Sequence, residues 1–296
     1  MRPDWIAVDW GTSNVRAWAM GGDGAMLAER ASDKGMGTLA REEFEPALLD
    51  LIDPWIGDGP VPVLACGMVG ARQGWVEAAY APVPGPPLSS ELTEAPTRTP
   101  GLSVRIVPGL MQPDPPDVMR GEETKLAGLI ARDPEYDGVA LMPGTHPKWV
   151  RLSAGEVVAF RTSLTGEAFA ALSTHTVLRH SVATEGWDED AFLEGVAEGI
   201  ARPEMLLSRL FGLRAASLLR GLGPEAARAR LSGLLIGADL AGARGWWLGS
   251  RVALIAAGEV GRSWGTALAS QGAPVEELDA TTCTLDGLRD AWRRIR

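Results

Sequence analysis

Cysteine, lysine and histidine are scarce in this 296-residue chain, and each shortage closes a class of explanation. The two cysteines, Cys66 and Cys283, cannot build a disulfide framework or a four-thiolate zinc site, and they read as small buried apolar residues. His146, His175 and His180 lack metal-ligand spacing, and neither Cys-x-x-Cys nor His-Glu-x-x-His occurs. Basic residues are too few for a nucleic-acid surface: 28 Lys+Arg face 38 Asp+Glu, a net charge of -10. No apolar run approaches the roughly 20 residues of a membrane helix. Asp4 and Asp9 interrupt the N-terminus where the apolar region of a signal peptide would lie. The expectation is a reduced, cytoplasmic, soluble protein with no nucleic-acid or membrane partner. Two nucleotide signatures are also missing: there is no Gly-x-x-x-x-Gly-Lys-Ser/Thr loop, and no Gly-x-Gly-x-x-Gly follows the first strand.

What is present is ordinary for a globular α/β chain: 46% hydrophobic and 22% charged residues, with 36 glycines and 21 prolines. The length favours two domains. The apolar run 5–8 predicts a buried strand, 14–20 a second, and the turn Gly21-Gly22-Asp23-Gly24 leads into a third at 25–30. The same plan recurs at 139–142, 148–152 and 157–162. In each copy the first turn carries Gly-Thr, at Gly11-Thr12 and at Gly144-Thr145, 133 residues apart. A repeated strand–turn–strand–turn–strand unit predicts two related domains, 1–135 and 136–296, with the last helix able to pack back on the first. Helices are expected at 42–52, 119–131, 166–175, 188–200, 203–219, 224–244, 258–271 and 285–293. Strands are expected at 61–66, 102–107 and 252–256, and the proline-rich segment 81–100 reads as an extended surface loop.

Asp9-Trp10-Gly11-Thr12-Ser13-Asn14 concentrates chemistry at the end of a buried strand. Gly11 admits close approach of an anion, Thr12 and Ser13 supply hydroxyl and amide donors, and Arg16 balances phosphate charge. Asp9 suits Mg²⁺, which binds few carboxylates and keeps several waters. The residues alone leave a second reading open, a polar turn whose free amides Asp9 caps. In Met119-Arg120-Gly121-Glu122-Glu123-Thr124-Lys125, acids at a helix start are also what the helix dipole favours, which accounts for Glu123 better than for Arg120-Gly121.

Taken in order, several blocks resemble a known family. Val8 to Trp18 is similar to the first phosphate motif of the sugar kinase, heat-shock chaperone and actin superfamily. Further blocks are Ala65-Cys66-Gly67-Met68-Val69-Gly70, Val107-Pro108-Gly109-Leu110, Met119 to Thr124 and Met142 to Val150. Phe160-Arg161-Thr162, Leu164-Thr165-Gly166-Glu167 and Leu231 to Ala238 complete the series. Across nearly the whole chain they resemble the bacterial 2-keto-3-deoxygalactonate kinases.

The resemblance implies an α/β fold of two ribonuclease-H-like (actin-like ATPase) domains flanking a deep cleft. It implies ATP-dependent phosphorylation of 2-keto-3-deoxy-D-galactonate to its 6-phosphate, with ATP and Mg²⁺ as cofactors. Gly11, Thr12, Ser13, Asn14 and Arg16 would hold phosphates from the first domain, and Gly144, Thr145 and His146 from the second. Gly258 stands where the superfamily's adenosine motif lies, with Ala257 and Glu259 in place of a second glycine. Glu122 takes the place of the aspartate base of related carbohydrate kinases, Glu123 is the alternative, and Asp9 carries the metal, directly or through water. Arg72, Lys148, Trp149, Arg161 and Thr165 are the candidates for the sugar acid. Two rivals remain at this point: a kinase of another sugar acid, and a non-metabolic ATPase switch of the same fold. An assembly of identical chains is left open.

Overall fold

The computed structural model describes residues 2–56 and 61–296. In chain order it runs β1 (Trp5–Trp10), β2 (Val15–Met20), β3 (Met26–Ser32), α1 (Phe44–Ile56), β4 (Pro62–Gly67) and β5 (Tyr80–Pro82). It continues β6 (Thr93–Glu94), β7 (Ser103–Ile106), β8 (Gly109–Gln112), β9 (Asp117–Met119), α2 (Glu122–Arg132), β10 (Gly138–Met142), β11 (Lys148–Ser153) and β12 (Glu156–Thr162). Then come α3 (Thr165–His175), α4 (Glu189–Ala201), α5 (Leu206–Arg220), α6 (Pro224–Gly242), α7 (Arg244–Trp247), β13 (Val252–Ala256), α8 (Gly258–Ser270), β14 (Val275–Asp279) and α9 (Ala280–Ile295). Two compact units emerge. The first comprises 1–136, 152–159 and 280–296, the second 137–151 and 160–279.

The first unit is built on a sheet of order β3-β2-β1-β4-β7-β6. Strand β1 pairs antiparallel with β2 and parallel with β4, which pairs parallel with β7. Side chains alternate between the faces of a strand, and β1 shows what that does here. Ile6, Val8 and Trp10 pack with Phe44, Leu48 and Ile52 of α1. Trp5 and Ala7 face the other way, with Leu285, Leu288 and Ala291 of α9. Asp9 therefore falls on the α9 face, at the C-terminal end of the strand. Helices α2 and α9 approach closely through glycine: a Cβ at Gly128 would strike the Cys283 carbonyl, and one at Gly287 the Thr124 carbonyl. A small sheet, β5-β8-β9, occupies a stretch where the sequence pattern predicts no strands. Its strands have only three or four residues, too short for alternation to show.

The second unit has a sheet of order β12-β11-β10-β13-β14. Counted within each half, the first four strands of the two sheets share the order third-second-first-fourth, and a further parallel strand follows the fourth in each, β7 beside β4 and β14 beside β13, so the repeated plan is a repeated core topology. Its fifth strand, β14 (VEELD), has no apolar run because it is an exposed edge, and the pattern reading passes over it. Val139, Leu141, Val252 and Leu254 pack under Phe192, Val196, Ile236, Leu240, Trp264 and Leu268. Gly195 and Gly199 of α4 meet the Arg230 and Leu234 carbonyls of α6, while Gly233 and Gly237 of α6 meet the Phe192 and Val196 carbonyls of α4. The glycines of the Leu231–Ala238 block thus let two backbones touch.

Candidate active site

In the first unit the site grows from the end of β1. Asp9 lies opposite Arg16 on β2 and Cys66 on β4. Its Oδ2 accepts a hydrogen bond from Arg16 Nη2 at 3.2 Å, and Arg16 Nη1 donates to Thr281 Oγ1 at 2.8 Å. The turn that follows is closed by the Gly11 amide donating to the Asn14 carbonyl at 2.8 Å, and Thr12, Ser13 and Asn14 are exposed. Segment 35–37 braces it from behind, with the Gly37 amide donating to the Thr12 carbonyl at 2.8 Å.

Two glycines bring α2 to this strand end. Gly67, at φ 93°, leaves so little room that a Cβ there would stand 2.6 Å from the Trp10 carbonyl. Gly121, at φ 97°, would place a Cβ 3.2 Å from the Gly67 Cα. The chain turns at Gly121 into α2, so the helix begins at Glu122 rather than at 119 as the sequence predicts. Glu122 is half-buried, and its Oε2 accepts from the Arg120 amide at 3.1 Å. Glu123 is fully buried and accepts from the Gly121 amide at 2.5 Å and from Thr124 Oγ1 at 2.9 Å. Burial, reinforced by the Glu122 charge, pushes the Glu123 carboxyl up to about 7. Lys125 lies three residues beyond Glu122 on α2. Its burial lowers its pKa, but the Asp9 and Glu122 charges outweigh that, and the net shift is upward. The end of β1 and the start of α2 therefore form one charged cluster.

In the second unit the Gly144-Thr145 turn follows β10 and is exposed, as is His146. Helix α3 is packed directly onto it: the Glu167 amide donates to the Thr145 carbonyl at 2.9 Å, and a Cβ at Gly166 would strike the Gly144 carbonyl. His146 Nε2 lies 2.7 Å from Glu167 Oε2. Behind the turn sits the buried carboxylate of Asp239, on α6. Its Oδ2 accepts from Ser163 Oγ and Thr165 Oγ1, and its Oδ1 accepts from Trp149 Nε1 at 3.0 Å. Gly144, Thr145, Thr165 and Gly166 line one part of a cavity of about 880 Å³, with Arg228 and Ser232 of α6 and Glu259 and Ser263 of α8 around the rest. Gly258, at φ 64°, opens α8 and lines an adjacent cavity of about 430 Å³ that shares Arg262 with the larger one.

The structure thus gathers Asp9, Gly11, Thr12, Ser13, Asn14, Arg16, Glu122 and Glu123 in one unit, and Gly144, Thr145 and Thr165 in the other. It corrects the reading of Trp149. That indole is fully buried, sits edge-on to Trp264 and is bonded to Asp239, so it is a core side chain and not a wall for a sugar. Lys148 is buried and donates to the His146 carbonyl at 3.3 Å. Arg161 donates to the Gly242 carbonyl. Arg72 is exposed in the loop after β4, beside Glu77 at 3.3 Å. Lys125 and Asp239 are the site residues that sequence reasoning missed. A signal existed for each: a scarce lysine three residues after Glu122, and a carboxylate inside an apolar helix block.

The profile of the 2-keto-3-deoxy-galactonokinase family matches residues 9–291. The chain belongs to that family. The Rhizobium meliloti (strain 1021) protein named "Probable 2-dehydro-3-deoxygalactonokinase DgoK1" is 42% identical over 98% of this chain and 97% of its own length. The 2-dehydro-3-deoxygalactonokinase of Escherichia coli (strain K12) is 33% identical over the same shares. A crystal structure from Sinorhizobium meliloti, provisionally assigned as a 2-dehydro-3-deoxygalactonokinase, superposes with a TM-score of 0.91 at 41% identity, covering 98% of this chain and 96% of that one. As a member of the 2-keto-3-deoxy-galactonokinase family, the chain is a two-domain sugar-acid kinase, a phosphotransferase acting on an alcohol group. Among the described residues, no helix is long and apolar enough to cross a membrane.

Proposed function

We propose that this kinase transfers the γ-phosphoryl group of ATP to the 6-hydroxyl of 2-dehydro-3-deoxy-D-galactonate. The observation that carries the reading is the charged cluster of Asp9, Lys125 and Glu122 beside an exposed Gly-Thr turn, in a chain whose full-length relatives bear that enzyme's name. The half-buried Glu122 is the base: it takes the proton of the hydroxyl as the oxygen attacks phosphorus. Glu123 is sealed from solvent, which supports Glu122 over it. Both Gly-Thr turns act as phosphate loops, since positioning and charge stabilisation do most of the work in phosphoryl transfer. The nucleotide occupies the 880 Å³ cavity, with phosphates toward Gly144 and Thr165 and adenosine toward α8. Arg72 is the arginine we assign to the substrate carboxylate, because Arg161 is engaged by Gly242.

Magnesium fits Asp9 by the chemistry of the donor. Among the described residues no three His, Cys, Asp or Glu side chains cluster for a metal. A cation that takes one or two carboxylates, keeps water and uses the substrate's phosphates needs no such cluster. When bound it would neutralise charge on the phosphates, and Asp9 would hold it directly or through water. The decisive experiment measures ADP formation with 2-dehydro-3-deoxygalactonate and with its gluconate epimer. Turnover selective for the former is expected. Selective turnover of the gluconate epimer would move the assignment to another sugar acid. ADP formation that neither compound stimulates would overturn the sugar-acid kinase reading.

A further inference from the structure

Helix α5 presents a solvent face that a monomer in water does not need. Its buried side is narrow, carried by Leu210 and Leu213. On the opposite arc, at 100° per residue, stand Leu207, Ser208, Phe211, Gly212, Ala215, Leu218 and Leu219, without one charged residue over four turns. An exposed helix face is ordinarily where charges collect. Two of the three arginines of α5 are held to the sides instead, Arg209 paired with Glu198 and Arg214 donating to Ser181, and the exposed Arg220 closes the helix outside this arc. Leu207 is 81% exposed, Phe211 65%, Leu218 66% and Leu219 83%.

With about 200 Å² for a large side chain, the aromatic value and an upper bound for leucine, those four present at most about 600 Å² of apolar surface. That is the upper end of the largest apolar patch on a typical monomer, about 300–600 Å², and such patches are often functional. A stable interface buries about 800 Å² on each partner, so this face supplies most of what one copy must contribute.

We infer that the α5 face is a two-fold interface with a second copy of this chain. Two features select that occupant. The face is self-complementary: Leu207, Phe211 and Leu218 form a ridge, and Ser208, Gly212 and Ala215 form the shallow groove beside it. A two-fold axis across α5 lays the ridge of each copy in the groove of the other. Nothing lies within 4 Å of a Cβ placed on Gly212, so the groove is open to receive it. Charge is the second feature. Copies carrying -10 each repel, and they meet most readily where neither presents a carboxylate.

Sedimentation velocity at tens of micromolar tests the inference without reference to activity. The wild type is expected to sediment at twice 31.3 kDa. Phe211→Glu/Leu218→Glu is expected to sediment as a monomer with an unchanged circular dichroism spectrum. Leu207→Glu/Leu219→Glu serves as an independent second pair should the first misfold. Leu248→Glu, at an apolar residue 64% exposed away from α5, is expected to leave the dimer intact. A monomeric wild type, a dimer that survives both α5 pairs, or equal dissociation by Leu248→Glu would each overturn the assignment.

Discussion

The two Gly-Thr turns close the first strands of two sheets whose first four strands share one order, yet they are built from different materials. The first follows Asp9 and is set among Arg16, Lys125 and Glu122, groups that carry full charges. The second follows Met142-Pro143 and is braced from behind by Asp239, a buried carboxylate whose three donors are all neutral. In the proposed mechanism one turn has the groups that move a proton and balance charge. The other has a rigid mount beside a cavity large enough for a nucleotide. On that reading a duplicated framework has been divided: chemistry in the first copy, positioning in the second.

The strongest way to break that division is to remove the base. A general base contributes about 10²–10⁴-fold to rate. Glu122→Gln keeps the shape and loses the proton acceptor, so kcat is expected to fall by that factor with the KM for ATP little changed, measured by ADP release. Near-normal kcat in Glu122→Gln would move the base elsewhere. A dead Glu123→Gln beside an active Glu122→Gln would exchange the two roles.

Glu123 sharpens the comparison through pH. Its folded pKa of about 7 stands above the ordinary 4.5, raised by burial and then by the Glu122 charge. The folded chain therefore holds a proton that the unfolded chain releases between those values. The resulting stabilisation is complete below 4.5 and is lost as pH rises through 7, about 3 kcal/mol in all. Glu123→Gln has no such proton to lose. Its stability relative to wild type, from urea unfolding, is expected to climb by about that amount across the window. A constant difference would show that Glu123 titrates like an exposed carboxylate.

These two predictions rest on residues that the sequence made conspicuous, and the reason is local. Asp9 ends an apolar run, and Gly121-Glu122 opens a helix beside a turn, so short-range pattern exposes both. Asp239 was hidden because its partners, Trp149, Ser163 and Thr165, lie 74 to 90 residues away. The same holds for the glycines of α6, whose meaning depends on Gly195 and Gly199 in another segment. The first strands of both sheets were legible from alternation and turn glycines. The small sheet and β14 were not, being short in one case and exposed and acidic in the other.

Asp239 is where the positioning role of the second turn can be tested directly. Hydrogen bonds to a charged group contribute about 1.5–3 kcal/mol. Asp239→Asn keeps the shape but removes the charge, and forces an amide against donors. Thr165 should lose its fixed orientation at the cavity wall. The KM for ATP is expected to rise about 10–100-fold, with the KM for the sugar acid nearly unchanged. A lowered melting temperature with both KM values intact would reduce Asp239 to a packing residue.

Arg72 gives a smaller, opposite split. Its pair with Glu77 is exposed and adds little stability. Arg72→Ala is expected to leave the melting temperature unchanged while raising the sugar-acid KM about tenfold, or about 1.4 kcal/mol. Equal rises in both KM values would remove it from the substrate.

Arg161 is expected to show the smallest effect. It is the penultimate residue of β12 and donates to the carbonyl of Gly242, the last residue of α6. The final carbonyls of a helix lack partners within it, and a cation there complements the negative end of the helix dipole. That role contributes about 0.3–1 kcal/mol and touches no substrate. Arg161→Ala should therefore lower stability slightly, read by urea unfolding, with both KM values within about twofold of wild type. The alternative has a distinct signature. If the sugar-acid KM rises about tenfold while the ATP KM stays fixed, the guanidinium holds the substrate carboxylate. The second unit would then contribute charge to the chemistry after all, and the division between the two turns would fail at that residue.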